Sequence, residues 1–316
     1  MTVLPALQAE LASATNQLLA TAASLSDADI AAPSLLPGWT RGHVLSHVAR
    51  NADSHLNLLT WARTGVRTPQ YPSLEARTAE IEATAARPAA RHLADLEERS
   101  ARLAAAIRDL PARAWSAQVE PMRPPPHPAW YILVRRLREI GFHHVDLAAG
   151  YGPEDWPDSF VRRELHDCLA TWPRDHSTVS EIIFLAERPT HATGHRAAKP
   201  AAHPAEHPPG ATVHRPAATD RPTTNASAPA AESQAEGVTE ILARWRDLGT
   251  GPAVQGTMRD MLAWLTGRSG GEGVSLLPVG QSFIPGPGGA SLPEPPPWLT
   301  MPAPADLPTT PSEDYP

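Results

Sequence analysis

Two segments nearly a hundred residues apart carry side chains able to hold a metal ion: LPGWTRGHVLSHVARNAD (36–53) and REIGFHHVDLAAGY (138–151). In the first, His43 and His47 are four apart; in the second, Glu139 and His143 are. Residues four apart sit one above the other on a helix face, so two such helices packed together can aim three or four ligands at one ion. Imidazole nitrogen and carboxylate oxygen suit a borderline ion such as zinc, and a catalytic zinc keeps a position open beyond three protein ligands.

Helical-wheel arithmetic, at about 100° per residue, tests whether these side chains face inward. In the first segment Val44, Val48, Ala52 and Leu59 define the apolar stripe; His47 and Asn51 fall within or beside it, and His43 lies further round, near the helix start. In the second, Leu133, Leu137, Ile140 and Leu147 define the stripe, with Glu139 and His143 at one rim, Arg136 between them, and His144 on the other side. A carboxylate buried at such a rim demands a partner, because desolvating it unpaired is costly. A metal, Arg136 or a protonated His43 would each serve.

The elements that must position these residues can be read from periodicity and punctuation. Residues 4–24 carry Leu, Ala and Val at helical spacing without internal Gly or Pro. Pro37 and Gly38 mark a turn, after which Thr40 caps a helix running to about Thr64 and stopped by Gly65. Residues 74–86 and 88–109 read as a helical region broken at Pro88 and ended by Pro111. PMRPPPHP (121–128) is an extended connector, since proline cannot continue a helix. The next helix runs from about Trp130 to Ala149 and stops at Gly150. Four long helices in the first 150 residues predict an antiparallel bundle, a fold that builds metal sites from inward side chains of facing helices.

Beyond residue 152 a smaller α/β domain is expected over 153–298, with strands at TVSEIIFLA (178–186) and near Val274–Leu277. It is interrupted at 188–236 by a segment almost wholly Ala, Pro, Thr and His, which reads as a disordered insertion because it cannot bury enough apolar surface to offset ordering entropy. Residues 299–316 read as a Pro-rich, loose tail. Cys168, the one cysteine, excludes an internal disulfide and a multi-cysteine metal site, and its helical neighbours Leu165 and Leu169 mark it as a buried structural thiol. The net charge of −7 argues against nucleic-acid binding, and no apolar run is long enough for a membrane span. With no signal-peptide pattern at the start, a cytoplasmic protein is expected, monomeric or weakly oligomeric.

LPGWTRGHVLSHVARNAD, REIGFHHVDLAAGYGPEDWP and the later DMLAWLTGR and LPEPPPWL resemble, in order, the mycothiol-dependent maleylpyruvate isomerase family of the DinB-like metal-binding four-helix superfamily. The resemblance covers essentially everything except the 188–236 insertion and the tail. It implies a four-helix bundle followed by a smaller α/β domain, and a zinc held by His47, Glu139 and His143, with His43 a neighbour rather than a ligand. It also implies an arginine from the C-terminal domain near the cleft, for which Arg268 is the candidate, and Asp146 reads as orienting the neighbouring histidines. The implied partners are a small-molecule substrate and the thiol mycothiol. The implied chemistry is addition of a zinc-activated thiolate to the cis double bond of maleylpyruvate, rotation, and elimination to fumarylpyruvate. An S-transferase using the same zinc and thiol on other electrophiles, or a non-catalytic metal-binding protein, would share the same ligands.

Overall fold

A computed structural model describes residues 3–187, 240–277, 291–296 and 302–316. Five helices precede the first strand: α1 Val3–Ala23, α2 Asp27–Ala31, α3 Arg41–Thr64, α4 Leu74–Ala85 and α5 Ala89–Arg108. The short strands β1 Gln118–Val119 and β2 His127–Pro128 pair antiparallel across the proline connector and lead into α6 Tyr131–Asp146. Helix α1 packs on α5 and α6, and so does α3, so the four close into a ring with α4 laid against α3. Its interior is apolar, built from residues such as Leu11, Leu18, Val44, Val48, Leu59, Leu103, Leu133 and Leu137.

The boundaries have local causes. Thr40 caps α3 by accepting from the His43 N–H, while the Thr40 N–H donates back to His43 Nδ1. Gly65, in the left-handed region at φ 73°, ends it. Gly42 is required by close approach: a Cβ there would lie 2.0 Å from the Ala85 carbonyl oxygen at the end of α4. Helix α6 ends three residues short of the expected Ala149. The carbonyls just past its end are taken by Arg41, whose Nε donates to Leu147 O at 2.6 Å and Nη2 to Ala148 O at 2.8 Å, and Ala148 has turned to φ 50°. The short α2, with a Ser26–Asp29 capping box, was not anticipated.

The second core gathers on the other flank of α6. Phe142 and Val145 join α7 Asp158–Ala170, a four-stranded sheet and α8 Met258–Leu265. The sheet order is β4–β3–β5–β6, with β3 Glu181–Leu185, β4 Ile241–Trp245, β5 Ala253–Thr257 and β6 Ser275–Leu276. Strand β3 pairs parallel with β5 in the register Ile182↔Val254 and antiparallel with β4; β6 closes the edge antiparallel to β5. The architecture is thus mostly helical with a small mixed sheet towards the C-terminus. Strands β3 and β6 fall where sequence patterning placed them, and β4 and β5 are additional. Cys168 is fully buried in this second core, and burial pushes its thiol pKa well up.

Met1–Ala186 and Ile241–Pro316 make one compact unit. The expected disordered insertion, 188–236, lies outside the described residues. The C-terminal tail is not loose where it is described. Trp130 Nε1 donates to Pro308 O at 2.9 Å, the Tyr315 ring packs edge-on to Trp130, and Ala303 is buried. Proline-rich chain is stiff, so docking it on aromatic rings costs little further ordering entropy. Among the described residues no helix is long and apolar enough to cross a membrane.

Candidate metal centre

Helices α3 and α6 bring His47, Glu139 and His143 together. His47 Nε2 lies 3.0 Å from Glu139 Oε2 and 3.0 Å from His143 Nε2, and His143 Nε2 lies 3.3 Å from Glu139 Oε2. Among the described residues this is the one group of three or more His, Cys, Asp or Glu whose donor atoms converge closely enough to share an ion. A tetrahedral zinc with bonds of about 2.0–2.1 Å sets its ligand atoms roughly 3.3 Å apart. The triangle therefore fits such an ion with a small outward relaxation, and its donor set of two imidazoles and one carboxylate suits zinc.

Protonation follows from surroundings. Burial, with the His143 ring beside it, drives the His47 pKa down to about 4, so its imidazole is neutral with a lone pair to give. Burial alone would raise Glu139, but hydrogen bonds from His143 and His47 outweigh it and hold the carboxyl well below its ordinary range. Burial likewise opposes charge on His143, yet the carboxylates of Asp146 and Glu139 win and raise its pKa. His143 Nδ1 donates to Asp146 Oδ2 at 2.8 Å, which keeps the proton on Nδ1 and turns Nε2 towards His47 and Glu139. Asp146 is itself gripped from behind: Arg268 donates to it through Nε at 3.1 Å and Nη2 at 2.6 Å, and to Thr266 O at 2.6 Å.

The alternatives for pairing Glu139 are thereby resolved in the geometry. Arg136 turns away, donating from Nη1 to Val48 O at 2.9 Å and Asn51 Oδ1 at 2.7 Å. His43 is occupied at the α3 cap through Nδ1, and its Nε2 reaches Glu82 at 3.3 Å. The Trp39 ring stacks on His43 and meets His47 edge-on, walling the site from the α3 end. Arg268 is near the triad, but the Asp146 carboxylate stands between it and His143.

A cleft of about 380 Å³ opens beside His47 and Glu139. Arg77 of α4, Arg123 of the connector and Arg135 of α6 line it, with Tyr71 and His55, and among the described residues Glu139 is its only acid. Sequence reading passed over these three arginines. Arg135 was within reach, because it lies four residues before Glu139 on the same stripe; Arg77 depends on how α4 packs, for which the chain carries no local signal.

Residues 11–148 match the family model described as the mycothiol maleylpyruvate isomerase N-terminal domain. Among solved structures, the mycothiol-dependent maleylpyruvate isomerase and a histidine-to-alanine mutant of it each align over 93% of this chain and 96% of theirs. The TM-score is 0.65 and the identity 24% in both cases. No curated protein matches the chain. The N-terminal helical region therefore belongs to the mycothiol maleylpyruvate isomerase N-terminal domain family, and the chain as a whole shares the fold of the solved isomerase.

Proposed function

We propose that this chain is a metal- and mycothiol-dependent cis–trans isomerase that converts maleylpyruvate to fumarylpyruvate. The observation that carries the reading is the convergence of His47, Glu139 and His143 within 3.0–3.3 Å of one another beside an open cleft. These three residues would hold the ion, and zinc is the ion their chemistry fits best. Bound there, a divalent ion supplies the Lewis acidity that lets a thiol lose its proton near neutral pH, and reversible thiolate addition gives a double bond single-bond freedom to rotate.

The protein's own part is positioning. Burial keeps the His47 lone pair available at neutral pH. Asp146 fixes the His143 tautomer; the hydrogen bond from His143 and then the charge of Arg268 keep Asp146 ionised despite its burial, and Arg268 grips it in place, so Arg268 acts as a positioning residue through Asp146. The Arg268 guanidinium also lies over the Phe142 ring at 5.0 Å, which ties the C-terminal segment to α6. Cys168, buried in the second core with a raised pKa, is not a competing nucleophile.

The test is elemental analysis of tag-free protein beside His47→Ala, Glu139→Ala and His143→Ala, followed by a thiol-dependent assay with maleylpyruvate. About one zinc per chain, lost in each variant, with turnover that consumes no net thiol, supports the reading. Stoichiometric thiol consumption would instead mark an S-transferase. Metal binding without thiol-dependent turnover on any electrophile would mark a binding protein.

A further inference from the structure

The cleft beside the triad has a charge problem that the fold does not solve. Among the described residues Arg77 and Arg135 line it with a single acid, in a chain whose net charge is −7. That acid, Glu139, is already engaged by His47 and His143. Arg135 Nη1 is buried without any hydrogen-bond partner, and no carboxylate among the described residues pairs with its guanidinium. An arginine cannot shed its charge as a buried carboxyl or imidazole can, so a cation left this way calls for an anion from solution.

Arg77 leads to the same place. Its Nη2 lies 2.9 Å from His47 Nδ1, the nitrogen facing away from the triad, and its guanidinium rides over the Tyr71 ring at 5.8 Å. An imidazole that gives its Nε2 lone pair to a metal carries its proton on Nδ1 and can no longer accept from Arg77. With the ion in place, Arg77 Nη2 and His47 Nδ1 would stand as two adjacent donors, Arg77 keeping its hydrogen bond to Tyr71. A carboxylate is the group that satisfies both at once.

We propose that Arg135 and Arg77 form a seat for one carboxylate of the substrate. The inference rests on the isomerase reading and adds to it which end of the substrate is held. Turning a cis double bond into a trans one sweeps half of the molecule through half a turn. A dicarboxylate can therefore stay anchored by only one end during the rotation. A cationic wall on one side of the metal, reached from helices α4 and α6, provides one anchor and leaves the other half free to swing.

The experiment uses the full chain, loaded with zinc, and succinate as probe, because a saturated dicarboxylate cannot take up a thiol. Succinamide is the uncharged control and Arg162→Met, on the exposed face of α7, the surface-charge control. Calorimetry should show succinate bound by wild type and Arg162→Met, bound at least tenfold more weakly by Arg135→Met and by Arg77→Met, and succinamide bound by none. Arg135→Lys keeps the charge without the planar fork and should fall between, which covers the case of a methionine variant that does not fold. KM for maleylpyruvate should rise in the same order, and Arg135→Met should melt no lower than wild type, because it removes an uncompensated cation. Unchanged succinate affinity in both methionine variants overturns the seat, and so does a lowered melting temperature in Arg135→Met with affinity intact. Turnover with unchanged KM in the variants would leave the isomerase and remove the seat. Arginine-dependent succinate binding without turnover would leave the seat and remove the isomerase.

Discussion

Helix α6 carries charge into the protein on two sides, and the two sides are balanced differently. On the cleft side Glu139 is engaged within the triad, while Arg135 lines the pocket with no carboxylate partner among the described residues. On the other side, one residue away from Glu139, Arg138 enters a fully buried cluster. Its Nε donates to Glu164 at 2.5 Å and its Nη2 to Asp167 at 2.7 Å, and Tyr131 OH also donates to Asp167. Here two carboxylates share one guanidinium. The excess is relieved within the protein: burial pushes the Glu164 carboxyl up to about 7, even with Arg138 beside it, so near neutrality it is part protonated. Asp167 stays ionised, because hydrogen bonds from His166 and Tyr131 and the charge of Arg138 outweigh its burial. An acidic imbalance can be neutralised by a proton, whereas an arginine imbalance waits for a ligand. That difference separates the structural cluster from the functional one, though both grow from adjacent positions of one helix.

The largest expected effect comes from breaking the structural side. Arg138→Met strands two buried carboxylates and should cost about 3–5 kcal/mol of unfolding free energy in urea titrations. An effect as small as that of a surface arginine would show that the cluster is not balanced as described. Next, Glu164→Gln should gain on wild type as pH rises. The Glu164 pKa is raised in the fold to about 7 from an ordinary value of 4.5, so its favourable contribution is complete below 4.5 and is lost as pH climbs through 7. The variant's advantage should grow by about 1.4 kcal/mol per pH unit across that window, to roughly 3 kcal/mol; a pH-independent difference between the two proteins would place the proton elsewhere.

On the cleft side, Asp146→Asn removes the acceptor that sets the His143 tautomer and should weaken zinc binding about 10–100-fold in competition with a chelator. Retained affinity would mean that Asp146 serves the fold alone, through Arg268. The smallest effect is reserved for His43→Ala. It loses the reciprocal hydrogen bond of the α3 capping box, worth about 0.5–1.5 kcal/mol, while Thr40 stays as the cap, and should keep a full complement of metal. A metal-free His43→Ala protein would put the ligand assignment on the wrong histidine.

How much of this could be read from the chain depends on how local each signal is. Helical spacing made His43, His47, Glu139 and His143 legible as candidates, and the family resemblance singled out His47, Glu139 and His143 among them, while the caps at Thr40 and Gly65 are written into neighbouring residues. Strands β4 and β5 were not. ILARW carries a charge at its fourth position and is largely exposed, AVQGT contains a polar residue and a glycine, and both owe their form to pairing with β3. The tail was misread as loose because proline content speaks of stiffness, while its anchorage depends on Trp130 and on Tyr315 reaching Asp167 from far along the chain. Arg268 was found by its place in a motif, but its target, Asp146, is visible only once the second core packs on α6.

Arg41 bears on the manufacturing tolerance of the site. It stands six residues before His47 on one helix of the triad and grips the carbonyls just past the end of the other, four and five residues after His143. It works as a locating pin between two rods: with it seated, neither helix can creep along its axis relative to its neighbour. A slip of a single residue, about 1.5 Å along the helix axis, would spread donor atoms now 3.0–3.3 Å apart beyond the span of one small ion. The alignment of the triad is thus set at the ends of the helices, well away from the ligands themselves.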